Sequence, residues 1–179
     1  MITAKHILPQ IIFAALAFSQ AATAQRSLEN ALADEAVLNG LAEIEANRDV
    51  SAQQLVEIGG IISPSGEELE RAQAVAAIMK DIGLKDVEIT ASPNVIGRIP
   101  GSSGKSLVFV STLDDLATVA EHQRAASSLP VVEGERVVGP GTNTSLTTIA
   151  LLSAARALIN QGFVPEHDIV FAAVAQEET

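Results

Sequence analysis

Two short runs of uninterrupted apolar residues, Leu107-Val108-Phe109-Val110 and Ile169 to Ala175, constrain this chain more than any other feature. A strand apolar on both faces reads as one covered on both sides, the pattern of a sheet enclosed between layers. Helical spacing surrounds these runs. Leu28 to Ala46 places Leu28 and Leu32, then Val37, Leu41 and Ile44, on the stripe of an amphipathic helix. Ser51 and Gln54 form a capping box for a second helix, ended by Gly59-Gly60. Ser65 and Glu68 form another, after which Leu69, Ala72, Ala76 and Met79 share one face and Gly83 stops the helix. Val87 and Ile89, then Val95-Ile96, read as strands, with a turn at Pro100-Gly101-Ser102-Ser103-Gly104 before the first apolar run. Thr144 to Asn160 reads as a helix closed by Gly162. Strands and helices alternating in this way predict an α/β layered domain with no internal repeat.

The first residues read as an address. Lys5 and His6 precede an apolar run from Ile7 to Phe18 and the small residues Ala21-Ala22-Thr23-Ala24, which predicts a secretory signal peptide over 1–24, cut after Ala24, and a domain over 25–179. A membrane anchor is the alternative, but Pro9 and Gln10 interrupt the run and it is shorter than the roughly 20 residues a bilayer span needs. The expected location is therefore periplasmic or secreted, with no membrane attachment after cleavage. An exported chain with 0 cysteines has no disulfide framework and must be held by a packed core. The formal net charge of −11 repels nucleic acid and anionic lipid, and 3% aromatic content with no Trp leaves no stacking platform for bases.

Chemistry is expected where polar groups end the two apolar runs, because active sites of α/β sheets collect at the carboxyl ends of strands. The first run leads into Ser111-Thr112-Leu113-Asp114-Asp115 and the second into Gln176-Glu177-Glu178. If the strands are parallel neighbours, Asp114, Glu177 and Glu178 share one crevice. Carboxylates that close stay ionised only when a cation or proton joins them. A consecutive pair suits metal-assisted hydrolysis, one carboxylate holding the metal and the other taking a proton from water. A Glu-Glu pair by itself is a weak signal and reads first as a solvated turn after a strand. Ser111 and Thr112 lack a neighbouring histidine and a Gly-x-Ser-x-Gly elbow, which argues against a nucleophile. The loop from Gly139 to Thr144 lacks the Gly-Lys-Ser/Thr of a phosphate-binding loop, and reads as a tight turn in which Asn143 or Thr144 caps the next helix.

Five stretches in order extend this reading: Ser63-Pro64-Ser65-Gly66-Glu67-Glu68 ahead of a helix, Asn94-Val95-Ile96-Gly97 with Pro100-Gly101, Thr112-Leu113-Asp114 at a strand end, Gly139-Pro140-Gly141-Thr142-Asn143-Thr144, and Glu177-Glu178. From about Leu55 to Thr179 the chain resembles the co-catalytic zinc hydrolases that include aminoacylases, peptidase T, carnosine dipeptidases and succinyl-diaminopimelate desuccinylase. The resemblance implies a mostly parallel, zinc-aminopeptidase-like sheet flanked by helices, of which this chain is the N-terminal portion, incomplete at the C-terminus. It implies an exported metal-dependent hydrolase of peptide or N-acyl amide bonds, acting on small peptides or N-acyl amino acids, with zinc as cofactor and a homodimer possible in the complete protein. Residue by residue, it makes Glu177 the general base, Glu178 a zinc ligand, and Asp114 the carboxylate that orients the ligand two residues before it.

At two positions the chain departs from that pattern. Thr112 stands where the family has histidine, and Thr144 where it has the aspartate that bridges the metals. A neutral hydroxyl neither donates like imidazole nor cancels charge between two zinc ions about 3.5–4 Å apart. The alternative function is thus a non-catalytic binding or partner protein on the same fold. Asp115 and His122 are candidate substitute ligands. His167 is not, since it begins the strand that ends near Glu177, about 30 Å away at about 3.3 Å per residue.

Overall fold

The computed structural model describes residues 29–178, so the expected signal peptide over 1–24 lies outside the described residues. The described residues divide into two units, one up to Leu41 and one from Ala42 onward. In the first, residues 29–32 are helical and a second helix begins at Glu35. Asp34 accepts the N–H of Ala36 at 2.8 Å, satisfying one of the donors that every helix start leaves open. This helix, α1 (Glu35–Ala46), has no buried residue, and Leu41 and Ile44 of its expected apolar stripe are exposed.

The second unit carries the rest: α2 (Arg48–Gly60), α3 (Leu69–Ile82), β1 (Lys85–Ile89), β2 (Val95–Ile99), β3 (Ser106–Thr112), α4 (Ala117–Ala125), β4 (Val131–Glu133), β5 (Arg136–Val138), α5 (Thr142–Asn160) and β6 (Asp168–Val174). Helix α2 starts three residues before the expected capping box. Ser51 therefore lies inside it, and its hydroxyl bonds Ser153 of α5 at 2.9 Å. Helix α3 ends as expected at Gly83, whose φ of 98° is the left-handed conformation that glycine adopts without steric cost. Ala72, Val75, Ala76, Met79 and Ile82 form its buried face, while Leu69 is exposed.

One four-stranded sheet has the order β1-β2-β6-β3, and β4 and β5 form a separate antiparallel hairpin. The two apolar runs are parallel neighbours, the condition on which the shared crevice rested, paired from Ser106 with Asp168 to Thr112 with Val174. The sheet as a whole is mixed rather than mostly parallel. Both β1 with β2 and β2 with β6 run antiparallel. A short connection explains the first of these, since residues 90–94 are too few for the crossover that a parallel pair requires.

Helices α3 and α5 cover the face that carries Val95, Ile99, Ile169, Phe171 and Ala173, and this is the core of the unit. Central strand β6 is largely buried, as its composition suggests. Strand β3 corrects the expectation. Leu107 to Val110 are half-exposed on both faces, with Val110 the most open at 62%. Position in the sheet is the reason: β3 is last in the strand order, and only its C-terminal end lies under α5, where Thr148 donates to Ser111 at 3.0 Å.

Candidate active site

Polar groups gather where β3 and β6 end. The parallel ladder continues one residue beyond β3, with Leu113 N–H bonding Val174 carbonyl at 2.7 Å, and so delivers Asp114 and Asp115 beside the end of β6. A third segment joins from the loop before α3. Pro64 forms a parallel bridge with Asp115, Asp115 N–H donates to Ser63 carbonyl at 2.7 Å, and Ser63 hydroxyl donates to Leu113 carbonyl at 3.0 Å. Asp114 and Asp115 are both 0% exposed.

A buried carboxylate is costly unless its oxygens are hydrogen-bonded or paired with charge. Asp114 accepts from the hydroxyls of Thr112 and Ser65 and from the backbone N–H of Glu178, the last at 2.9 Å. Burial raises its carboxyl, but the hydrogen bonds from Ser65, Thr112 and the N–H groups of Glu178 and Glu177 outweigh burial and hold it below the usual aspartate value. Asp115 takes a different solution. Its Oδ2 is 2.5 Å from the guanidinium of buried Arg71, and its Oδ1 accepts from the Thr144 hydroxyl. Arg71 also donates to Leu113 carbonyl at 2.9 Å and to Ile61 carbonyl, so one cation ties α3 to both converging loops.

The turn after β6 is held by backbone donors. Ala175 N–H reaches the side-chain oxygen of Asn94 at 2.8 Å, Gln176 N–H reaches Glu68 Oε1 at 3.0 Å, and Glu178 N–H reaches Asp114. Gln176 has a φ of 60°, a conformation that non-glycine residues seldom adopt, which turns the chain sharply before the Glu-Glu pair. Three of the matched stretches thus supply the acceptors that shape this turn. Glu177 and Glu178 themselves are exposed.

The sequence placed Asp114, Glu177 and Glu178 in one crevice. The structure brings them together through the Glu178 backbone, and both glutamates are exposed. Thr112 and Asp114 face each other, and their side chains are hydrogen-bonded. Neither proposed substitute ligand joins Asp114: Asp115 is bound to Arg71, and His122 is exposed on α4. His167 lies beside Ser103, whose hydroxyl is 2.7 Å from its Nδ1, at the opposite end of β6. Thr144 and Asn143 do not cap α5 with their side chains. The helix starts at Thr142 after Gly141, and Thr144 donates to Asp115 and to Gly141 carbonyl, the latter at 3.1 Å. Nothing local in the sequence marks Arg71, and Ser65 reads there as a helix cap; only a pairing across the fold gives either its role.

These donors do not fit a two-zinc centre. Among the described residues no three His, Cys, Asp or Glu side chains gather as a metal site. Hydroxyls stand at Thr112 and Thr144, and the two buried aspartates already have partners on both oxygens.

No protein-family profile and no curated protein sequence matches the chain. Solved structures do. The dipeptidase Dug1p of Saccharomyces cerevisiae superposes with a TM-score of 0.64 at 14% identity, over 79% of this chain and 35% of that protein. Human carnosine dipeptidase 1 gives a TM-score of 0.64 at 14% identity, over 82% and 36%. YxeP of Bacillus subtilis, described as a dinuclear metal binding peptidase from the M20 family, gives 0.54 at 14% identity, over 75% and 36%. The fold is that of the M20 metallopeptidases. It agrees with the family that the sequence resembles, and the chain spans little more than a third of the length of each of these M20-fold proteins.

Proposed function

We propose that this chain is part of a hydrolase of peptide or N-acyl amide bonds built on the M20 metallopeptidase fold. One observation supports the reading above the others: two parallel neighbouring strands deliver Asp114 and the Glu177-Glu178 turn to one place, on a fold shared with dipeptidases. In this reading Glu177, exposed beside the crevice, takes the proton of the attacking water. Asp114 is the positioning residue that holds the turn through the Glu178 N–H. Polarising the amide carbonyl is what a metal supplies in such hydrolases. Because the donors of this chain do not fit the two-zinc centre, no step is assigned to it. Small peptides and N-acyl amino acids are the proposed substrates. The leader over 1–24 supports export to the periplasm or beyond.

A specific observation favours a second reading. The Thr112 and Thr144 hydroxyls bond the two buried aspartates, an arrangement that suits a non-catalytic binding or partner protein on the same fold. Incubation of the purified protein with dipeptides and N-acetyl amino acids, followed by amine release and by calorimetric binding, separates the two. Release that Glu177→Gln abolishes supports the hydrolase. Binding without release supports the second reading, and neither binding nor release overturns both.

A further inference from the structure

We infer that the polar cluster at the ends of β3 and β6 is a closed, metal-free centre, in which hydroxyls and one arginine satisfy the buried carboxylates and no zinc is taken up. The inference concerns the cluster itself and does not require that amides be hydrolysed.

Asp114 Oδ1 accepts from Thr112 Oγ1, and Oδ2 accepts from Ser65 Oγ and from the Glu178 N–H. Asp115 Oδ1 accepts from Thr144 Oγ1, and Oδ2 is paired with Arg71. Every oxygen of the two aspartates therefore has a donor from this chain, and both residues are fully buried. A dication would have to displace hydroxyl donors that sit on rigid elements, the end of β3 for Thr112 and the first turn of α5 for Thr144. It would also have to approach the fixed positive charge of Arg71, itself 1% exposed and anchored by two backbone carbonyls. Coulomb repulsion at such a buried site is weakly screened.

Thr112 and Thr144 matter twice in this account. They stand at the two positions where the resemblance calls for a metal ligand and a metal bridge; Thr112 gives its one hydroxyl proton to Asp114, and Thr144 shares its one between Asp115 and the Gly141 carbonyl. A hydroxyl carries one donor hydrogen, and a donor committed to a carboxylate leaves only a neutral oxygen for a metal. Ser65 completes the set. It comes from the loop before α3, 49 residues away from Asp114 in sequence. The cluster is thus assembled from five separate segments, the loop before α3, α3 itself, the end of β3, α5 and the turn after β6, with the Arg71 guanidinium as its cation and no metal ion needed.

The test is a zinc titration of the full chain after dialysis against chelator, read by native mass spectrometry and by thermal unfolding. The expected result is a zinc-free mass and an unchanged melting temperature with one or ten equivalents of zinc chloride. Uptake of one or two zinc ions that raises the melting temperature, and that Asp114→Asn removes, overturns the inference while leaving the hydrolase reading open. Uptake that Asp114→Asn leaves unchanged belongs to the acidic surface, and the inference stands. The double variant Thr112→His with Thr144→Asp is expected to bind zinc at least about tenfold more tightly than the parent. A folded double variant with no gain overturns the assignment of closure to these two hydroxyls. Should it fail to fold, the titration of the parent chain decides. Turnover without zinc uptake keeps both proposals, whereas no turnover and no uptake keeps this one alone.

Discussion

The residue that most depends on its surroundings is Arg71. Its guanidinium pairs with Asp115 at 2.5 Å, and both side chains are buried. Removing one partner of such a pair strands the other charge in a dry environment, which typically costs about 3–5 kcal/mol. Arg71→Met and Asp115→Asn are each expected to lower unfolding free energy in urea by that order. Replacing both is expected to cost less than the sum of the two, because neither charge is then left alone. Asp114 makes a prediction in pH. Its folded carboxyl lies below the ordinary value, so the stability that it contributes is complete above about pH 4, where the unfolded carboxyl is ionised. That contribution is lost as pH falls through the depressed folded value. Unfolding midpoints measured from pH 6 down to pH 2 should show this acid-dependent loss, and Asp114→Asn should reduce it.

At the scale of elements, β3 and the turn into α5 carry the consequences. The apolar stretch Leu107 to Val110 is half-exposed on an edge strand with unpaired backbone groups, the pattern that natural sheets avoid leaving open. The chain by itself is expected to self-associate with rising concentration. Val108→Lys with Val110→Lys, on the same side of the strand, should reduce the association seen by light scattering. Phe109→Ala should instead weaken the fold, since its ring stacks on Phe171 of the core at a centroid distance of 6.0 Å. Gly141 precedes α5 with a φ of 87°, and a Cβ there would collide with Gln123 and with Gly59 carbonyl. Gly141→Ala is expected to cost at least about 1–3 kcal/mol from backbone strain alone. It should also displace Thr144 from Asp115, which heteronuclear NMR of the threonine methyl groups can follow.

For the whole molecule, charge is the controlling quantity. Acidic residues number 22 against 11 basic, and self-repulsion of that kind works against the compact state. Raising salt from about 0.01 M to about 0.15 M shortens the screening length from about 30 Å to about 8 Å. Thermal unfolding is accordingly expected to shift upward by a few degrees across that range. The buried Arg71–Asp115 pair is shielded from solvent ions, so the shift should persist in the Arg71→Met variant.

Much of this protein was readable from its residues in order. Gly83 as a helix stop and the polar groups that end the two apolar runs follow from periodicity, turn chemistry and strand ends, which neighbours in sequence encode; the parallel pairing that brings Asp114 beside the Glu-Glu pair was a condition of that reading, and the tertiary structure meets it. The α/β fold was legible for the same reason. Burial and partnership were not. Only the tertiary structure decided that β3 lies at an edge with both faces half open, that the sheet is mixed, and that Ser65 serves Asp114 rather than a helix cap. Asp115 finds Arg71 44 positions away in sequence, and Asp114 finds Ser65 49 positions away. Hydrogen bonds over such separations exist only once the chain has folded, because local sequence specifies which groups can donate and accept while the packing of distant segments selects the partner each one meets.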